Sequence, residues 1–331
     1  MSTQKAYQQK EVGDCKFILN EAAEKPTAGA GEVVIKNFGA GVNPIDWKAT
    51  GGAFAEGRSF PVTCGVDGAG VVDSVGKGVT GYAAGDKVFY MTGLGGFGAY
   101  AQFSTCSATS VWKLPAGWNL TEASTFSCAG LTAAVALYAK LKIQTGDWVF
   151  VNGGSGGLGA MAVQLAAFSG AKVIATCSGR NADFVKGLGA SEVIDYTKED
   201  IVARTKEITG GAGVRSLFDT VSTETSKLFG AVGYNGSIVA ILPCAVDGAA
   251  AFNLFLQSIT VHQFLIMSHL SYANAEVQTA LVPVLAAIKA GKFKVPIQKK
   301  FTLDEVQAAV DNNKEGRTQG KTVVIIDESL A

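Results

Sequence analysis

From Trp148 to Thr176 the spacing of apolar residues changes twice. Trp148-Val149-Phe150-Val151 is an unbroken apolar run, the pattern of a strand buried on both faces. Glycines follow at 153, 154, 156, 157 and 159. Leu158, Met161, Ala162, Leu165 and Ala166 then fall at i, i+3, i+4, i+7 and i+8, one face of a helix. Gly170 ends that helix, and Lys172–Thr176 begins a second strand. The pattern predicts a strand, a glycine turn, a helix and a parallel strand.

The same reading extends both ways. Downstream, apolar runs at Val193–Asp195, Ser216–Thr220, Ser237–Leu242 and Ser258–Ile266 alternate with helical spacing. Such alternation predicts an α/β fold with a doubly wound parallel sheet of the Rossmann kind. Gly210–Gly213 reads as the loop before one of these strands. Upstream, Glu32–Phe38, Gly70–Val75, Asp86–Tyr90 and Ala99–Ser104 are short strands separated by turn residues, which suggests a β-rich, barrel-like domain. Thr121–Ala139 reads as a helix. After His269 come a helix at Asn274–Ala290, the segment Pro296–Phe301, a helix at Leu303–Asn312 and a strand at Thr322–Asp327. The expected domains are residues 1–127, 128–268 and 269–331, the last returning to the first.

Composition narrows the function classes. The 331 residues are enough for about two domains. Basic and acidic residues balance at 28 each, so no net charge steers the chain to nucleic acid or an anionic membrane. No run reaches the roughly 18–20 apolar residues of a membrane span, and Met1–Lys10 lacks the apolar core of a signal peptide. Six cysteines (15, 64, 106, 128, 177, 244) lie too far apart for a CxxC motif. These features point to a cytoplasmic protein, with an organelle not excluded.

The glycine turn carries the candidate chemistry. Gly154-x-Gly156-x-x-Gly159 between strand and helix is the pattern of a dinucleotide site. Glycines let the backbone turn and let a pyrophosphate approach, and the helix N-terminus favours its charge. An NAD site usually places a carboxylate about 20 residues on, at the end of the second strand. Here that stretch reads Thr176-Cys177-Ser178-Gly179-Arg180-Asn181, and the first acid is Asp183. Ser178 and Arg180 can hold a 2′-phosphate that a carboxylate would repel, so NADPH is expected over NADH. Tyr138-x-x-x-Lys142 has the spacing of a short-chain dehydrogenase pair but precedes the glycine turn. Asp46 and Asp67 read as turn caps or local partners rather than general acids.

Several motifs in order then mark a family. Asn43-Pro44-Ile45-Asp46-Trp47-Lys48, the long Pro61–Val88 segment, Leu131–Ala134, Gly187–Ala190 with Val193–Tyr196, and Gly320-Lys321-x-Val323 resemble the zinc-independent quinone oxidoreductase (zeta-crystallin-like) branch of the medium-chain dehydrogenase/reductase superfamily. The NPxDWK form is similar to plant-type quinone oxidoreductase homologues and alkenal reductases. The resemblance implies a GroES-like catalytic domain built from both termini, a Rossmann domain, NADPH and a homodimer.

By position it implies Asn43 and Thr132 near the nicotinamide, and Ser155, Gly156, Gly157 and Leu158 at the pyrophosphate. Ser178, Arg180 and Tyr196 would serve the 2′-phosphate. Val221, Ile241, Leu242, Phe264, Leu265 and Ile266 would line the nicotinamide channel. Where zinc relatives carry Gly-His-Glu this chain has Gly65-Val66-Asp67, and the two histidines, His262 and His269, lie far off in sequence, so no metal is expected. Lys48 and Phe54 stand where some relatives have tyrosines. Ser222–Thr225 is polar where relatives often have glycine.

The expected activity is hydride transfer to quinones or α,β-unsaturated carbonyls, with Asn43 and Lys48 as donors to the developing oxyanion. An enoyl-thioester reductase and a non-catalytic, crystallin-like NADPH-binding protein stay open as alternatives.

Overall fold

A computed structural model describes residues 2–11, 13, 16–49, 59–93 and 98–331 of the chain. Phe54, Cys15 and residues 94–97 lie outside the described residues. Two compact units emerge, Met1–Ala129 with Val295–Ala331, and Gly130–Lys294.

The first unit is built mainly of strands. In order they are β1 (Thr3–Gln9), β2 (Ile18–Glu24), β3 (Glu32–Val42), β4 (Val62–Thr63), β5 (Asp67–Val75), β6 (Lys87–Met91), β7 (Phe103–Ser107) and β8 (Val111–Lys113). A short helix, α1 (Pro44–Lys48), follows β3, and α2 (Leu120–Ala123) and α3 (Ser127–Ala134) follow β8. β3 organises the larger sheet. One edge pairs with β5; the other pairs first with β7, over Glu32–Lys36, and then with a strand from the end of the chain, over Gly39–Val42. Val33, Val34, Ile35, Ala40 and Val42 are buried, since both faces of this strand are covered. β2, β1 and β4 form a separate three-stranded sheet.

The second unit is an open parallel sheet. Its elements are β9 (Trp148–Asn152), α4 (Gly157–Phe168), β10 (Lys172–Cys177), α5 (Ala182–Gly187), β11 (Glu192–Asp195), α6 (Ile201–Ile208), β12 (Val214–Asp219), β13 (Val232–Ala240), α7 (Gly248–Leu256), β14 (Thr260–Gln263), α8 (Ile266–Tyr272) and α9 (Asn274–Lys289). The strand order is β11-β10-β9-β12-β13-β14, all parallel. The order reverses between β9 and β12, and the crevice at such a switch point is where α/β sheets take ligands. Val149, Phe150 and Val151 are fully buried, as their unbroken apolar run requires. α7 is the exception among the helices: it reads GAAAFNLFL, yet none of its residues is buried, and Phe255 is 77% exposed.

The chain then returns to the first unit through β15 (Ile297–Thr302), α10 (Val306–Lys314) and β16 (Lys321–Ile325), the strand that completes the edge of β3. This return begins at Val295, not at residue 269 as the sequence suggested. The reason is that α8 and α9 stay with the second unit. Lys140 forms an ion pair with Glu276 of α9 at 2.9 Å. The amide of Gln164 on α4 donates to the Lys294 carbonyl (2.9 Å) and accepts the Lys294 N–H (3.0 Å).

Two other expectations shift. The single helix at Thr121–Ala139 is α2, then α3, then a π-helical turn at Val135–Lys140, with Asn119 capping the start by accepting the Glu122 N–H. The strand expected at Ala99–Ser104 lies at Phe103–Ser107.

Candidate functional site

In the second unit, one edge of the sheet gathers most of the residues singled out above. β9 delivers the chain into the turn, where Gly153 has φ +79°. The glycines there are needed for different reasons. A Cβ on Gly159 would lie 2.1 Å from the Gly153 carbonyl oxygen, and one on Gly154 would meet Ala175 at 2.9 Å. A Cβ on Gly156 would have only the Gly153 oxygen nearby, at 3.6 Å. The first two glycines serve packing; Gly156 leaves room open in front of α4. Gly157, Leu158 and Gly159 begin that twelve-residue helix, whose first turn holds no acid. Their N–H groups and the helix dipole suit an anion.

The neighbouring strand ends add the rest. Ser178 follows β10, and Tyr196 follows β11; the Tyr196 N–H donates to the Cys177 carbonyl at 3.3 Å. Arg180 is exposed and forms no ion pair among the described residues. Asn181 donates its side-chain amide to the Ser155 hydroxyl at 3.2 Å, which ties the glycine turn to the segment carrying Arg180. The carboxylate at the end of β11, Asp195, accepts from the Thr197 hydroxyl (2.7 Å) and N–H, and these bonds hold its pKa below the usual range.

Val221 follows β12 and is 44% exposed. Ile241 and Leu242 follow β13, and Phe264 and Leu265 follow β14; all four are half-buried. Ile266 is buried as the first residue of α8. Thr132 is the one cofactor candidate of this unit away from that edge, on α3 and largely buried.

Under this edge lies a polar network that the sequence reading did not identify. Asp219, 1% exposed, accepts from Asn152 (2.8 Å), the Val221 and Ser222 N–H groups, and the Thr225 hydroxyl (2.7 Å). Asn152 in turn accepts from Thr176 at 2.6 Å. The available signal was the placing of Asn152, Thr176 and Asp219 at the ends of otherwise apolar strands.

The first unit holds a second polar cluster, around Asn43. The Asn43 amide nitrogen donates to Asp67 at 2.8 Å, and its oxygen accepts from the Lys321 ammonium at 2.6 Å. Lys321 also donates to the Val42 carbonyl at 2.9 Å. Asp46 accepts from the Asn43 N–H (2.8 Å), the Tyr100 hydroxyl (2.7 Å) and the Val66 N–H (3.2 Å). The first of these bonds closes a capping box on α1, the role expected for Asp46. Asp67 also accepts the Cys128 N–H at 3.0 Å.

All of Asn43, Asp46, Asp67, Tyr100 and Lys321 are buried. Burial pushes the Asp46 carboxyl up to about 7, and raises Asp67 against the pull of Lys321. Asp46 also lines a small pocket with Ala49, Thr63, Cys64, Gly65, Val66 and Gly93.

Of the two donors expected from sequence, Asn43 is therefore turned inward, 2% exposed. Lys48 is exposed at the end of α1, its ammonium 5.4 Å from the Trp47 ring centre. A zinc ion does not fit this cluster. N–H and O–H donors already point at the oxygens of Asp46 and Asp67, Lys321 occupies the Asn43 oxygen, and the Val66 side chain offers no ligand atom. His269 lies in the other unit, 3.3 Å from Glu276, with its ring 4.8 Å from that of Phe264.

Comparison with known proteins finds two families along the chain. The alcohol dehydrogenase GroES-like domain family matches residues 29–116, and the zinc-binding dehydrogenase family matches residues 188–324. A chloroplast envelope quinone oxidoreductase homolog of Arabidopsis thaliana is 33% identical over 306 residues, covering 90% of this chain and 91% of that protein. A 2-haloacrylate reductase of a Burkholderia species is 28% identical, covering 96% and 97%. The crystal structure of the Escherichia coli quinone oxidoreductase complexed with NADPH is similar with a TM-score of 0.85 at 28% identity, covering 97% of this chain and 99% of that one.

Proposed function

The chain belongs to the quinone oxidoreductase branch of the medium-chain dehydrogenase/reductase superfamily, and on that premise we propose that it reduces quinones or α,β-unsaturated carbonyl compounds with NADPH. The observation that carries the reading is the glycine turn. It leaves room at Gly156 in front of an acid-free helix start, with the unpaired Arg180 close in sequence after the next strand. The NADPH named in the Escherichia coli relative and the unsaturated acid named in the Burkholderia one support the cofactor and the substrate class.

NADPH, when bound, supplies the hydride. Ser155, Gly156, Gly157 and Leu158 hold the pyrophosphate through backbone N–H groups. Ser178 and Arg180 pair with the 2′-phosphate, beside Tyr196. Val221, Ile241, Leu242, Phe264, Leu265 and Ile266 keep water from the nicotinamide, and Thr132 flanks it. Negative charge grows on the carbonyl oxygen of the acceptor. Lys48, exposed and cationic, meets that charge, whereas Asn43 acts by fixing the backbone around α1. No step passes through zinc.

The test is the loss of NADPH absorbance with a benzoquinone, a phenanthrenequinone, an alkenal, an alkenone and an enoyl thioester, with NADH in parallel. Turnover of a quinone or enone with NADPH and little with NADH is the expected result. Preference for the thioester selects the enoyl-thioester alternative. Cofactor binding without turnover of any acceptor selects the non-catalytic one.

A further inference from the structure

Four non-glycine residues among those described have positive φ: Lys142, Ser222, Asn235 and Ser258. Three are exposed; Ser222, at φ +54°, is buried. A serine held in the left-handed region inside a protein persists only where its surroundings over-determine it. Here they do so from three sides. The Ser222 hydroxyl donates to the Asp219 carbonyl at 2.8 Å and accepts the Ile241 N–H at 3.0 Å. The Ser222 N–H donates to the Asp219 carboxylate at 2.9 Å.

These bonds continue a line across the sheet. The Gly153 N–H donates to Thr176 (2.8 Å), Thr176 to Asn152 (2.6 Å), and Asn152 to Asp219 (2.8 Å). From Asp219 the line reaches Ser222 and ends on Ile241. It joins the ends of β10, β9, β12 and β13. One end is the glycine turn, and the other holds Val221 and Ile241. The Asp219 carboxylate has no ion-pair partner among the described residues, so its four neutral donors are its compensation.

We propose that Ser222 is a positioning residue for the dinucleotide, its hydroxyl fixing the loops after β12 and β13 so that Val221 and Ile241 meet the nicotinamide half while the glycine turn holds the pyrophosphate. This rests on the NADPH reading above. It separates the two halves of the ligand: the adenosine end is held by residues outside the Ser222 loop.

The experiment is calorimetric titration of the full chain and its Ser222→Ala and Ser222→Gly variants with NADPH and with 2′,5′-ADP, alongside thermal unfolding. Both variants lack the hydroxyl, but glycine also relieves the positive φ. Both are expected to bind NADPH about tenfold more weakly, the loss of roughly one to two hydrogen bonds. Binding of 2′,5′-ADP is expected to stay unchanged. Ser222→Gly should unfold at a higher temperature than Ser222→Ala.

Unchanged NADPH affinity in both variants, with binding by the unaltered chain intact, overturns the positioning role alone. So does a loss confined to the less stable variant, or an equal loss for 2′,5′-ADP. An unaltered chain that binds no NADPH overturns the parent reading and this one together.

Discussion

Replacing Lys321 by methionine keeps much of the side chain's length and removes its charge. In the folded chain Lys321 is 4% exposed, and its ammonium is bonded to Asn43 at 2.6 Å and Val42 at 2.9 Å. It also pulls down the pKa of both Asp67 and Asp46. Removing one partner of a buried ionic cluster destabilises by about 3–5 kcal/mol, because the remaining charges stay buried. At about 2–4 °C per kcal/mol for a unit of this size, Lys321→Met should lower the melting temperature of the first unit by about 6–20 °C.

The effect also has a pH signature. Asp46 is raised from 3.8 to about 7 in the folded chain, so the fold binds a proton that the unfolded chain releases. Its contribution to stability is fully present below about pH 4 and is lost as pH rises towards 7. Without Lys321 both carboxyls rise further. For Asp46 the variant should then go on losing stability above pH 7, where the loss in the unaltered chain levels off, by up to about 1.4 kcal/mol per pH unit for each additional proton held. Thermal unfolding from below pH 4 to above pH 7 measures both effects. A variant that melts with the unaltered chain, or whose deficit does not grow with pH, would show that the Asn43 cluster does not depend on this cation.

Two further expectations concern the second unit. Arg180→Ala should raise the KM for NADPH relative to that for NADH about ten- to a hundredfold, the worth of charge-assisted bonds to a phosphate; an unchanged ratio would remove Arg180 from cofactor selection. Gly156→Ala should cost no more than about 1 kcal/mol yet weaken NADPH binding, because its methyl group enters open room. Gly159→Ala should destabilise the fold by about 1–3 kcal/mol or more, its Cβ falling 2.1 Å from a carbonyl oxygen. Calorimetry and unfolding separate the two, and equal losses of stability would contradict the division of roles between these glycines.

The parallel sheet was legible because its central strands are buried on both faces and leave an unbroken apolar run, as in Trp148–Val151. The cofactor candidates followed from it, since most residues just beyond such strands share one edge. β1 and β2 escaped notice. β1 reads TQKAYQQ and buries Gln4 and Gln9, so its inner face does not look apolar. The Ala-rich stretch after Thr121 hid its breaks, because alanine suits α- and π-helical turns alike. α7 misleads in the opposite sense: GAAAFNLFL reads as interior and is not buried.

In the site, sequence could place Asn43 but not its orientation, which Asp67 and Lys321 determine from 24 and 278 positions away. A polar residue at a strand end looks the same in sequence whether it meets water or, like Asp219, four internal donors.

The divided edge of β3 sets an order on how the chain can be completed. Gly130–Lys294 is continuous and has all its strands once Lys294 is made. The first 129 residues do not: Gly39–Val42 has no neighbour on that edge until Thr322–Ile325 exists, and Asn43 has no cation until Lys321 exists. During synthesis the part made first is therefore the part finished last. A chain that stops at Gly320 lacks both the strand that covers β3 and the charge that its buried carboxylates require.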